Sequence, residues 1–99
     1  MLKIIQANYL EEFKVVLKFN DGRTGEVDLA NFLQHESRAV FLPLRNKQVF
    51  QTFTVQANTL TWQDGEIDLA PEFLYFLAFR NEPTLQEQFQ KWGYFGVSK

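Results

Sequence analysis

Hydrophobic and polar positions alternate most cleanly over residues 13–19. Phe13, Val15, Leu17 and Phe19 fall on one side of an extended chain, and Lys14, Val16 and Lys18 on the other. A period of two predicts a strand with one wet face. Asn20-Asp21-Gly22 follows, and the register decides the loop. A two-residue loop at Asp21-Gly22 would set Phe19 against Thr24 and bury Asp28. A three-residue loop sets Phe19 against Arg23, Leu17 against Gly25 and Val15 against Val27, so Val27 stays with the apolar row. The longer loop is expected, with Gly22 in the left-handed region. Residues 23–28 return as a strand, and Leu29 to Gln34 form a short helix with Asp28 as its N-cap.

A tighter version of this unit spans Trp62 to Tyr75. Asp64-Gly65 is a turn pair, because glycine accepts positive φ and aspartate tolerates it. A two-residue loop there sets Trp62 opposite Ile67 and Leu60 opposite Leu69. All four then share one face of a half-buried hairpin. Pro71 suits the first turn of a helix, where its missing N–H has no intrahelical partner. Asp68 and Glu72 lie near that helix start, where negative charge is favoured. The helix is expected to run to Phe79. Phe73, Leu74, Leu77 and Ala78 form its apolar stripe, and Tyr75, Phe76 and Phe79 carry apolar surface round the other side. Such a helix needs deep burial or a covering chain.

The remaining segments are read more briefly. Residues 2–9 and Val49–Gln56 are expected as strands, as is Thr59–Trp62 after a turn at Ala57-Asn58. Residues 35–38 read as loop, and Pro43 limits any helix around Phe41 to a turn or two. Asn81-Glu82-Pro83 breaks the chain, after which Thr84 is expected to cap a last helix over Leu85–Lys91, with Glu87 completing a capping box. The tail from Trp92 to Val97 is aromatic and punctuated by glycine. The predicted fold is α+β: an antiparallel sheet of about five or six strands with short helices on one face, in two related hairpin–helix halves. Residues 1–79 form the domain, and residues 80–99 a helix and aromatic tail packed on it or on a partner.

Ninety-nine residues make one domain able to bury a core without covalent staples. Eleven phenylalanines predict a core of flat, bulky side chains. The absence of cysteine removes disulfides, thiolate metal sites and a cysteine nucleophile. Net charge is -2, with seven Lys/Arg against six Asp/Glu in residues 1–50 and three against six in residues 51–99. Neither half holds a dense basic patch, so the charge pattern argues against nucleic acid as a partner. No segment has the apolar length of a membrane span, and the first residues do not read as a signal peptide, so the expected location is the cytoplasm.

Candidate chemistry is sparse. His35, the one histidine, lies in a polar segment beside Glu36 and reads as an exposed loop residue rather than a general base. Asp64, Asp68 and Glu72 could converge as a cation site, but calcium and magnesium want more oxygen ligands at set spacings. A turn aspartate, a capping aspartate and a first-turn glutamate account for them better. Trp62 and Tyr75 could line a ligand pocket, although such residues more often anchor a core. The candidate binding set is therefore Trp62, Asp64, Asp68, Glu72 and Tyr75. The candidate interface set is Phe76, Phe79, Trp92, Tyr94 and Phe95. No catalytic residue, metal ligand or cofactor is expected.

Asp21-Gly22 … Val27-Asp28-Leu29-Ala30 … Leu33 echoes Asp64-Gly65 … Ile67-Asp68-Leu69-Ala70 … Leu74. Convergence of hairpin-then-helix units accounts for the echo, and so does duplication. The same residues, with Phe41-x-x-Leu44, Phe50 and the run from Trp62 through Pro71-Glu72-x-Leu74-Tyr75, resemble the bacterial domain of unknown function 2442 family over residues 2–77. The resemblance implies a small α+β domain of two related halves. It implies a DNA-binding helix-turn-helix module after the domain in some relatives, and a small toxin-like neighbour beside others. Residues 80–99 are too few and not basic enough for that module. The function expected is a non-catalytic protein-interaction domain, antitoxin-like or homodimeric. A ligand-binding or enzymatic site near Trp62–Tyr75 and a transcriptional regulator are the alternatives.

Overall fold

The computed structural model describes residues 1–94, in which two β-meanders, each followed by a helix, share one core. Ile4–Glu11 (β1), Lys14–Phe19 (β2) and Thr24–Asp28 (β3) form an antiparallel sheet in the order β1-β2-β3. Ala30–His35 (α1), a 3-10 segment at Ala39–Arg45 and Lys47–Phe50 (α2) follow. Thr54–Gln56 (β4), Thr59–Trp62 (β5) and Ile67–Asp68 (β6) form a second antiparallel sheet in the order β4-β5-β6. Pro71–Phe79 (α3), a 3-10 turn at Pro83–Leu85 and Gln86–Trp92 (α4) complete the described chain.

The α+β class holds, but the single sheet of five or six strands is two sheets of three. Helical segments separate β3 from β4 and carry the chain away from the edge of β3. When the chain returns, β4 comes beside β1 without forming a ladder. A backbone bond from the Ile4 N–H to the Asn58 carbonyl, at 2.9 Å, links the two sheets there.

Both turn registers follow from the apolar rows. Val15 pairs with Val27 and Leu17 with Gly25. The Phe19 N–H donates to the Arg23 carbonyl at 2.9 Å, and Gly22 has φ 91. That is the three-residue loop. Trp62 pairs with Ile67, and Gln63, Asp64 and Gly65 all have positive φ. Val15, Leu17, Phe19 and Val27 are fully buried, while Lys18, Thr24 and Glu26 face solvent, so the first sheet has one dry face and one wet. β5 differs, because Thr59 and Thr61 are buried along with Leu60 and Trp62. The hydroxyl of Thr59 satisfies itself on the Leu69 carbonyl, and that of Thr61 lies 3.1 Å from the Thr54 hydroxyl.

Local chemistry moved several boundaries. The strand expected over Val49–Gln56 begins only at Thr54. The Asn46 carboxamide accepts the N–H groups of Gln48 and Val49 at 2.8 and 3.4 Å, which caps a helical turn through Phe50. β1 runs from Ile4 to Glu11 rather than over residues 2–9, and its turn falls at Glu12-Phe13, with Glu12 at φ 50. Asp28 accepts the Ala30 N–H at 2.9 Å, but Leu29 occupies the N-cap, so Asp28 acts one residue before it. Thr84 caps nothing. Pro83 starts a 3-10 turn, α4 begins at Gln86, and the Gln86 amide donates instead to the Arg80 and Glu82 carbonyls at 2.9 and 2.7 Å. There it satisfies the Arg80 carbonyl at the C-terminal cap of α3 and joins the Leu85 N–H on the Glu82 carbonyl.

α3 packs on β3 at Gly25. A Cβ there would sit 2.8 Å from Phe79 Cε1 and 3.1 Å from Ala78 Cβ, so the missing side chain is what admits the helix. α4 covers another side of α3 through Phe89, which is buried and meets Phe76 edge-on at 5.1 Å. Among the described residues no helix is long and apolar enough to cross a membrane.

Candidate functional site

The two echoing units meet at a groove of about 250 Å³. Its walls are Phe32 of α1, Arg38 and Phe41 of the 3-10 segment, and Asp68, Leu69, Ala70 and Phe73 where β6 passes into α3. Three aromatic rings build the floor. Phe32 meets Phe41 edge-on at 5.6 Å and lies tilted against Phe73 at 5.2 Å. Phe73 continues the row to Tyr94 at 6.1 Å. Pro71 at the first position of α3 fixes the entry of this wall, so Phe73 projects from a rigid helix rather than a loop.

The charges on the two rims differ. Arg38 lies 4.9 Å over the Phe41 ring, and its guanidinium donates to both Glu36 carboxylate oxygens at 2.7 and 2.9 Å. That guanidinium bond, with help from the Arg38 backbone N–H, holds the Glu36 carboxyl down to about 2. The pair is therefore internally neutral. Across the groove, Asp68 is exposed and has no ion-pair or hydrogen-bond partner among the described residues. It does not cap α3: Ala70 is the N-cap and no side chain bonds there. This corrects the capping role expected for Asp68.

The other sequence candidates are dispersed. Trp62 is 1% exposed and donates its indole N–H to the Phe50 carbonyl at 2.8 Å, so it stands in the core. Asp64 is exposed at the turn, with φ 57. Glu72 is half-buried in the first turn of α3. Tyr75 is buried and its hydroxyl donates to the Asp21 carboxylate at 2.6 Å, which ties the β2–β3 turn to α3. Burial first, then that bond to Asp21, pushes the Tyr75 phenol up to about 12. No group of three or more His, Asp or Glu among the described residues is placed to hold a metal ion. His35 is exposed, its Nδ1 2.9 Å from the Asn31 carbonyl oxygen.

The described candidate interface residues pack mainly against other aromatic groups of the chain. Phe76 is buried and stacks on Tyr94 at 5.0 Å with 19° between planes. Phe79 lies on Gly25 and Phe19, the latter at 5.8 Å, and Trp92 meets Tyr75 and Phe89, each at 6.0 Å. Phe95 lies outside the described residues. Much of the apolar surface that singled out α3 is taken up within the chain, while Phe73, Leu77 and Phe79 stay partly exposed. Phe32, Arg38 and Phe41 were not anticipated. The Asp28-Leu29-Ala30 echo of Asp68-Leu69-Ala70 was the available signal, since it marks two helix starts that the fold brings to one groove.

The fold and groove define a small α+β domain of paired meander–helix units. The chain belongs to the family described as Protein of unknown function (DUF2442), whose profile matches residues 4–80. A crystal structure from Nitrosomonas europaea, named as a "putative DNA binding protein", shares the fold at a TM-score of 0.68 and 14% identity over 96% of this chain. The present chain spans 63% of that protein. No curated protein matches the chain significantly.

Proposed function

We propose that the chain is a non-catalytic protein-interaction domain, of the kind that an antitoxin-like partner of a small protein would use, and that the groove at the junction of the two halves is its contact surface. The observation that carries this reading is the groove's make-up. Phe32, Phe41 and Phe73 offer an aromatic floor on rigid elements, flanked by Arg38 on one side and Asp68 on the other. An apolar centre inside a polar rim is the anatomy of a protein contact. The ligand-binding or enzymatic alternative called on Trp62 and Tyr75, which here are bonded to Phe50 and Asp21.

The test is capture from the native host's extract on immobilised wild-type protein and on a folded Phe32→Ala/Asp68→Lys variant. A specific protein retained by the first and lost by the second is the expected result. Identical protein sets on both would remove the groove from the reading. Sedimentation velocity distinguishes a second copy of the chain from a different partner.

A transcriptional regulator is the second reading, favoured by the shared fold with the Nitrosomonas europaea protein. The net charge of -2 weighs against direct DNA contact by this chain. A salt-sensitive mobility shift with host promoter DNA would support it, and no shift at low salt would dispose of it.

A further inference from the structure

We propose that the groove between α1 and α3 takes an extended cationic segment of a partner polypeptide, seating one bulky apolar side chain on the Phe32–Phe73 floor with an adjacent Lys or Arg against Asp68. This rests on the interaction reading above and specifies the partner's chemistry. The floor supplies shape and apolar area, and the rim supplies the sign of the charge.

That sign follows from Asp68, the acidic residue that lines the groove within an acidic strip of chain. Residues 63–72 carry Asp64, Glu66, Asp68 and Glu72 and no Lys or Arg. None of the four takes part in an ion pair among the described residues, and neither do Glu26, Asp28, Glu82 and Glu87. Asp64, Glu66 and Asp68 are exposed. On the opposite rim the Arg38 charge is already matched by Glu36. Of the four acidic residues in the strip, Asp68 alone lines the groove, so its β6–α3 rim carries one carboxylate with no ion-pair partner among the described residues. An acidic peptide would meet like charge there, and a neutral apolar one would leave the rim unused. A cation flanking an apolar anchor satisfies both features at once. Arg suits the site further, because its planar guanidinium can lie beside Phe73 while reaching Asp68.

The test is selection of short randomised peptides, displayed on phage, against the intact protein, followed by fluorescence anisotropy with the winning peptides. Enrichment of Lys or Arg next to a Phe, Trp, Leu or Ile is expected. Binding should weaken as salt rises, because the charges are exposed. Asp68→Lys should weaken the winning peptides by about tenfold and Asp68→Asn by roughly threefold to fivefold. Phe32→Ala, checked for native circular dichroism, should weaken the winning peptides whether position 68 is aspartate or asparagine. Acidic or uncharged winners, winners indifferent to Asp68→Lys, or an empty selection would each overturn the proposal. So would an Asp68→Lys variant that dissociates a dimer of this chain, which would assign the groove to a second copy. A host protein captured through the groove but lacking a basic segment would overturn the cationic partner while leaving the interaction reading standing.

Discussion

The two meander–helix halves repeat an order of elements yet solve different problems. The first has strands of eight, six and five residues and keeps one face wet, with Lys18 exposed behind the buried Leu17. The second has strands of three, four and two residues, and its central strand is buried on both faces. A long sheet can leave one face in water, because alternation keeps the other face continuous. A short sheet gains too little area from one face, so β5 buries both and must satisfy two threonine hydroxyls internally. The comparison teaches where each half's stability is concentrated: spread along the first sheet, and gathered around Trp62 in the second.

Trp62→Ala should therefore produce the largest loss. It empties a core position 1% exposed and orphans the Phe50 carbonyl, and should cost about 3–5 kcal/mol by urea denaturation. Val16→Ala, on the wetter face of β2, should change stability by less than about 1 kcal/mol. Equal losses would break the contrast between the halves.

Tyr75 and Asp21 join the halves, and their bond should be worth roughly 1.5–3 kcal/mol because its acceptor is charged. Tyr75→Phe and Asp21→Asn should each cost that much, and the double variant little more. The pH dependence has a definite sign. The folded phenol binds its proton more tightly than the unfolded one, so this contribution is complete below the ordinary tyrosine range near 10. It is lost as pH rises toward about 12. Between those values wild type should lose stability faster than Tyr75→Phe. Parallel curves would show that the phenol is not perturbed.

Gly25 tests how the second half's helix lies on the first half's sheet. Gly25→Val should cost about 1–3 kcal/mol by pushing into the Phe79 ring. Phe79→Ala in the same chain should relieve part of that cost, since the two groups share one space. Additive losses would mean that α3 shifts bodily instead.

These sites also show what the amino-acid order reveals. The Gly22 and Asp64-Gly65 registers were readable because a slip of one residue would turn Val27 or Ile67 outward. The start of α3 was readable because Pro71 tolerates few other positions. The split into two sheets was not readable. Strand pattern reports which face is apolar, and it does not report which edge pairs with which. Val49 was misplaced because the Asn46 cap, a local bond, outweighed β propensity over four residues. The groove was half legible: Asp68 drew attention through charge, but Phe32 and Phe41 lie some thirty residues upstream and reach it only through tertiary packing.

The smallest expected effect bears most on the candidate site. Asp68 is exposed and caps no helix, and it has no partner among the described residues, so Asp68→Asn should leave stability within about 0.5 kcal/mol of wild type. Asp28, its counterpart in the first unit, bonds the Ala30 N–H, and Asp28→Ala should cost about 0.5–2 kcal/mol. The same residue type at the same place in the echo thus has a structural duty in one half and none in the other. A carboxylate without a structural duty at a groove rim is free to be used for contact. Denaturation of Asp28→Ala and Asp68→Ala side by side checks the difference, and a cost at Asp68 equal to that at Asp28 would return Asp68 to the scaffold.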